Sequence, residues 1–236
     1  MKKGTLYLIP TTLGDTDDLE KVLPAYNREI VGQLDEFIVE QLRTARRFLR
    51  KMGHPLPIDE MKFYELNKHT ADLEINAYLN PLLSGKSMGL LSEAGTPCVA
   101  DPGSAIVQMA HEQGIEVVPL TGPNSIILAL MASGFNGQNF VFHGYLPVDK
   151  QALIKKIREM ETASRNLHQT QIFIETPYRN RQLFDKLVET CRHDTKLCVA
   201  TDLTLEKEKI KTKTVAAWKK ETVDLHKKPT VFLLYF

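Results

Sequence analysis

Apolar residues fall in short runs separated by glycine, proline and amphipathic stretches. Residues 4–10, 88–91, 115–120, 139–143, 171–175 and 197–202 have the length and composition of strands. Between them, residues 40–52, 70–83, 105–113, 126–133, 151–162 and 180–191 predict helices. A short strand is expected at 64–66. Strand and helix alternate along the first half, which points to an α/β domain with a mainly parallel sheet. Residues 207–213 and 230–236 are expected to be antiparallel strands closing a second sheet.

Two loops stand out in this pattern. Residues 88–104, MGLLSEAGTPCVADPGS, run from a strand end through Gly95, Pro97 and Gly103 into a helix. Asp101, Pro102 and Ser104 supply the expected helix-start signals. Residues 118–125, VPLTGPNS, repeat the logic: a strand end, Gly122 and Pro123, then Asn124 and Ser125 as caps. Glycine at a strand end lets a ligand touch backbone directly, and α/β sheets bind ligands outside the carboxyl ends of their strands. The two loops therefore predict a small-molecule cleft, with a hinge near the second. The competing explanation is a pair of plain turns.

Charge and motifs narrow the chemistry. With 30 Lys and Arg against 29 Asp and Glu, a net charge of +1 disfavours nucleic-acid binding by bulk electrostatics but allows local patches. Arg43, Arg46, Arg47, Arg50 and Lys51 form one such patch, on the helix face opposite Leu42, Ala45 and Leu49. That face suits phosphates or is simply solvated. Lys207, Lys209, Lys211 and Lys213 alternate, so an extended strand would turn them to one side. They are read as a lysine-protected sheet edge, with an RNA-contacting stripe as the alternative. Residues 175–179, ETPYR, sit at a strand end facing the expected cleft, or form a capped turn. Gly85-Lys86-Ser87 lacks the upstream glycine of a phosphate loop, His111-Glu112 lacks the second histidine of a zinc protease, and no GxGxxG occurs. Cys98, Cys191 and Cys198 form no CxxC pair, so no metal or disulfide framework is expected. Cysteine usage and the lack of a leader or a long apolar run predict a cytoplasmic protein with no membrane partner.

Taken together, Ser92-Glu93-Ala94-Gly95-Thr96-Pro97 with Asp101-Pro102-Gly103, the loop Val118-Pro119-Leu120-Thr121-Gly122-Pro123, Phe142-His143-Gly144-Tyr145-Leu146-Pro147 and Ile174-Glu175-Thr176-Pro177-Tyr178-Arg179 resemble the tetrapyrrole-methylase superfamily. These are the class III S-adenosylmethionine-dependent methyltransferases. The likeness is greatest to the subfamily of bacterial enzymes that methylate a cytidine ribose 2′-hydroxyl of small-subunit ribosomal RNA. The resemblance implies a two-domain α/β fold, with a mainly parallel N-terminal sheet (residues 1–119, the acceptor side) and a mixed C-terminal sheet (residues 120–236, the dimer contacts). S-adenosylmethionine would lie between them.

By the same resemblance, Pro10, Glu93, Ala94, Gly95, Thr96, Val99, Asp101, Thr121, Gly122, Asn124 and Ser125 would line the cofactor, with Phe173, Ile174, Ala200 and Pro229. Glu40, Arg43 and Glu93 are the candidate catalytic residues, Asp101 is a further candidate base, and Arg43 and Arg46 would hold RNA. The expected partners are ribosomal RNA or the small ribosomal subunit, and a second copy of the chain. Two elements depart from the family pattern. Pro10-Thr11-Thr12-Leu13-Gly14-Asp15 stands for P-T-P-I-G-N, and Val39-Glu40-Gln41-Leu42-Arg43 for A-E-D-T-R. Both lie on the family's acceptor side, which leaves a small tetrapyrrole-like molecule or a protein open as acceptor, or a SAM-binding homologue without catalysis.

Overall fold

The computed structural model describes residues 2–16, 18–66 and 72–236, in two compact units, Met1–Asn124 and Ser125–Phe236. The first contains β1 (Thr5–Ile9), α1 (Ala25–Val31), β2 (Glu36–Val39), α2 (Leu42–Lys51), β3 (Lys62–Glu65), α3 (Asp72–Ala77), α4 (Asn80–Leu83), β4 (Met88–Leu91), α5 (Ser104–Glu112) and β5 (Glu116–Pro119). Its five strands are all parallel, in the order β3-β2-β4-β1-β5.

Alternation along the strands feeds two apolar layers. Ile9, Phe37, Val39 and Leu91 join Ala45, Phe48 and Leu49 of α2 on one face. Leu6, Ile38, Met88 and Leu90 join Ile106 and Ala110 of α5 on the other. Gly89 lies where Ile9 and Phe37 already fill the space: a Cβ there would stand 2.5 Å from Ile9 Cδ1 and 2.8 Å from Phe37 Cδ1. Gly89→Ala is expected to destabilise the protein by about 1–3 kcal/mol through overpacking. The check is a lowered urea midpoint with an unchanged slope.

Several expectations need correction. The helix expected from residue 40 begins at Leu42, because residues 36–39 form β2, which was not anticipated. Four residues give little period to read, and Glu36 is a charge at the strand start. It is buried but accepts from Lys86 (2.8 Å) and Tyr64 (2.6 Å), and these partners hold its carboxyl below the usual range against burial's opposite push. The helix expected at 70–83 is two helices, with Pro81 in the first turn of the second, since proline cannot continue a helix into its own amide. Thr70 and Ala71 of that helix, and Asp17 of the loop after β1, lie outside the described residues. Helix α5 is capped by Gly103 at φ +131° with no side-chain cap bond, so Asp101, Pro102 and Ser104 mark the start without capping it. Helix α1 was also missed, and no side chain caps its start.

The second unit contains α6 (Ser125–Ser133), β6 (Phe140–Tyr145), α7 (Lys150–Leu167), β7 (Thr170–Ile174), α8 (Asn180–Thr190), β8 (Lys196–Thr201), β9 (Lys209–Thr214), α9 (Val215–Trp218) and β10 (Thr230–Tyr235). The sheet is mixed, as expected, in the order β6-β7-β10-β8-β9, with β6 and β7 parallel and the other pairs antiparallel. Strand β10 does not close it. Its six residues TVFLLY are almost wholly buried, and it lies in the centre between β7 and β8. The lysine-bearing β9 is the edge, although Lys207 precedes the strand.

Strand β6 extends through Gly144 and Tyr145, where a turn was expected, by way of a register shift after Phe142. Helix α7 outruns its expected end by five residues and stops at His168, which is left-handed at φ 49°. Helix α9 was not anticipated. It brings Trp218 edge-on to Phe184 and bonds the indole to Leu197 O at 2.8 Å. Among the described residues, no helix is long and apolar enough to cross a membrane.

Candidate functional site

In the first unit, the loops leaving β1, β4 and β5 are fastened to one another. Thr11 N–H donates to Gly95 O at 2.9 Å, and Ser92 Oγ donates to the same carbonyl. Asn124 Nδ2 donates to Thr96 Oγ1 at 2.6 Å, and Asn27 Nδ2 to Thr121 O at 2.8 Å. Two glycines permit this closeness. At Gly95, φ +78°, a Cβ would stand 2.9 Å from Leu13 Cδ2 and 3.0 Å from Pro123 O; at Gly122 it would stand 2.3 Å from Pro10 Cγ.

Beyond Gly95 the backbone is strained. Cys98 (φ 66°) and Ala100 (φ 63°) occupy the left-handed region that residues with a Cβ avoid. Ala94, Val99 and Ala100 are exposed on this segment. Residues in such conformations cluster at ligand sites and other functional positions.

Three carboxyl groups gather beside it: Glu40 after β2, Glu93 after β4, and Asp101 before α5. Burial, then the charges of Glu40 and Glu93, push Asp101 up to about 6. Its Oδ2 is buried with no partner among the described residues. Thr44 of α2 donates to Glu93 Oε1 at 2.7 Å. A cavity of about 240 Å³ opens beside Glu93, lined by Thr11, Thr44, Arg47, Lys51, Ser92 and Glu93 among others, whereas Glu40 and Asp101 lie outside its lining. Thr44 also lines a broader groove of about 670 Å³ with Arg43, Arg46, Arg47 and Arg50. Within the patch, Arg47 and Lys51 face Asp15 at 3.9 and 2.5 Å, and the Lys51 hydrogen bond holds the Asp15 carboxyl below its usual range. Arg46 lies over the Phe63 ring at 5.4 Å.

The sequence pattern of the Tetrapyrrole (Corrin/Porphyrin) Methylases matches residues 5–218. The chain belongs to this family. Among its methylase relatives, the ribosomal RNA small subunit methyltransferase I of Vibrio cholerae is 31% identical over 200 residues, covering 84% of this chain and 65% of that protein. The protein of the same name from Bacillus subtilis is 32% identical over 205 residues, covering 87% and 65%. The chain thus spans just under two thirds of the length of these relatives. A solved diphthine synthase superposes with a TM-score of 0.67 at 16% identity, over 98% of this chain and 90% of that one, a likeness of fold.

The first unit brings together Pro10, Gly95, Thr96, Thr121, Gly122 and Asn124 through the loop contacts above, and Glu40, Glu93 and Asp101 through their charges. Ala94 and Val99 are exposed on the same loop, and Arg43 lies in the arginine groove. Ser125 opens α6 of the second unit. There Ile174 and Ala200 both pair with Val231, and Pro229 O accepts from Asp202 N–H, so these three share one end of the sheet. The Phe173 ring is core, stacked on Phe232 at 5.9 Å.

Sequence reasoning missed Thr11, Asn27, Thr44 and Ser92. Thr44, the one hydroxyl within an arginine-rich helix turn, was the legible signal among them. Residues 175–179 form the capped turn: buried Glu175 accepts from Thr176 N–H at 2.7 Å and pairs with Arg179 at 3.2 Å.

Proposed function

We propose that this methylase transfers a methyl group from S-adenosylmethionine to a ribose 2′-hydroxyl of small-subunit ribosomal RNA. The supporting observation is the juxtaposition, through Thr44, of an arginine groove with a carboxylate cluster holding one acid of raised proton affinity. Arg43, Arg46 and Arg50 offer planar forks suited to phosphate oxygens. Asp101 accepts the hydroxyl proton, and burial, reinforced by Glu40 and Glu93, keeps its affinity for that proton near neutrality.

The cofactor fits the first unit on two counts. The strained loop is exposed at Ala94, Val99 and Ala100, and the carboxylates complement a sulfonium charge. Pro10, Glu93, Gly95, Thr96, Asp101, Thr121, Gly122 and Asn124 would hold it. Bound, it supplies an electrophilic methyl group, so the protein's task is mainly alignment.

The setting proposed is cytoplasmic, consistent with three free cysteines. A homodimer is proposed through the second unit, where Ile127, Met131, Tyr145 and Val148 are exposed apolar residues.

The test supplies methyl-labelled S-adenosylmethionine with small subunits lacking the modification and with protein-free RNA. Label should enter RNA and survive in an alkali-resistant dinucleotide, because a methylated 2′-oxygen cannot attack the adjacent phosphate. Label confined to protein or to a small molecule would overturn the reading. Replacing Arg43, Arg46 and Arg50 together by Ala is expected to raise KM for RNA by about 10–100-fold, while calorimetry shows cofactor affinity unchanged.

A further inference from the structure

The near-neutral total charge conceals a split. Residues 1–124 carry 12 Lys and Arg against 17 Asp and Glu, whereas residues 125–236 carry 18 against 12. Nine of the second unit's 13 lysines fall within residues 196–228, with five acids. That stretch is β8, the edge strand β9, the helix α9 packed on it, and the loop leading to β10.

Most of the local acids are already engaged. Glu221 accepts from both Lys211 (2.6 Å) and Lys213. Asp224 and Asp202 face Lys228 at 2.9 and 4.0 Å, and Glu208 accepts from Thr204 N–H at 2.7 Å. Glu206 remains exposed in the turn before β9. Lys207, Lys209, Lys219 and Lys220 are exposed and have no ion-pair partner among the described residues. A cavity of about 90 Å³ opens on the same edge, lined by Lys209, Lys211, Thr201 and Thr222 together with the engaged acids.

Protection of a sheet edge accounts for lysines on β9 itself. It does not account for Lys207 ahead of the strand, or for Lys219 and Lys220 after α9. We infer that this edge of the second unit is an RNA-backbone contact, with Lys207, Lys209, Lys219 and Lys220 neutralising phosphates without reading sequence. The inference rests on the reading of the chain as an RNA methyltransferase and adds a surface outside its reacting groups. Lysine holds phosphate as a point charge, so the contact is expected to be strongly salt-dependent.

The experiment measures binding of wild type and of the combined K207Q/K209Q/K219Q/K220Q variant to protein-free small-subunit RNA across a salt series. Expected are about 10–100-fold weaker binding at low salt and a log–log salt slope smaller by about 3, at 0.7 per lost single-strand contact. Cofactor affinity should be unchanged, and the four-fold Lys→Arg variant should restore binding. Unchanged affinity and slope for protein-free RNA overturn the inference. Weakening seen only with intact subunits also overturns it, since it points to an acidic protein as the partner. If wild type binds RNA but transfers no label to it, the methyl-transfer reading fails instead, and the lysine result stands on its own.

Discussion

Asp101→Asn is expected to slow methyl transfer by about 10²–10⁴-fold, the range lost with a positioned general base, while making the protein more stable at neutral pH. Both effects have one cause. Burial and the neighbouring Glu40 and Glu93 raise the Asp101 carboxyl from 3.8 to about 6. A carboxyl raised on folding favours the folded state while the proton is held, at acid pH. That advantage is lost as pH climbs from about 4 through about 6, where the folded protein must carry an ill-solvated charge. Two pKa units correspond to roughly 2–3 kcal/mol.

Asn removes this charge and gives Glu40 and Glu93 an amide donor in its place. Urea titrations should therefore find the variant and wild type alike near pH 4, with the variant ahead by about 2 kcal/mol at pH 8. The wild-type transfer rate should rise with pH to a plateau with its midpoint near 6, and the variant's profile should lack that step. A variant that transfers within threefold of wild type would remove Asp101 from the reaction.

Most of the architecture could be read from apolar runs, and the misses have physical reasons. Long amphipathic helices announce themselves by period and strands buried on both faces by short apolar runs, as at Met88–Leu91, where strand and expectation coincide. Strand β2 and helix α9, four residues each, are held by tertiary contacts, not by any local pattern. Nothing in TVFLLY says whether a strand is central or last, because burial on both faces depends on which strands flank it.

The site was legible in part. Glycine, proline and carboxylate at strand ends marked the loops, since few residues suit such backbone. What could not be read were contacts between loops far apart in sequence: Thr11 with Gly95, Thr44 with Glu93, Asn124 with Thr96. Total charge is silent on placement for a related reason. A sum near zero says nothing of where the charges lie, and here the two halves differ in sign.

Gly95→Val is expected to weaken S-adenosylmethionine binding by about 100-fold or more. The structure locates the damage in the packing of the loops themselves. At φ +78°, a β-branched residue carries a backbone penalty of at least about 1–2 kcal/mol. The new Cβ would press on Pro123 O from one loop and on Leu13 from another, each at about 3 Å, and valine's methyls extend the overlap. Relief requires the β1 and β5 loops to withdraw, and the bond from Thr11 N–H to Gly95 O lengthens as they go. Alanine shares the strain but not the added bulk, so affinity should fall in the order Gly, Ala, Val, with stability losses of about 1–2 and 2–4 kcal/mol. Calorimetry at a temperature where circular dichroism shows all three folded separates lost binding from lost fold. If valine at 95 left the affinity for S-adenosylmethionine intact, the junction of the three loops would not be where the cofactor is held.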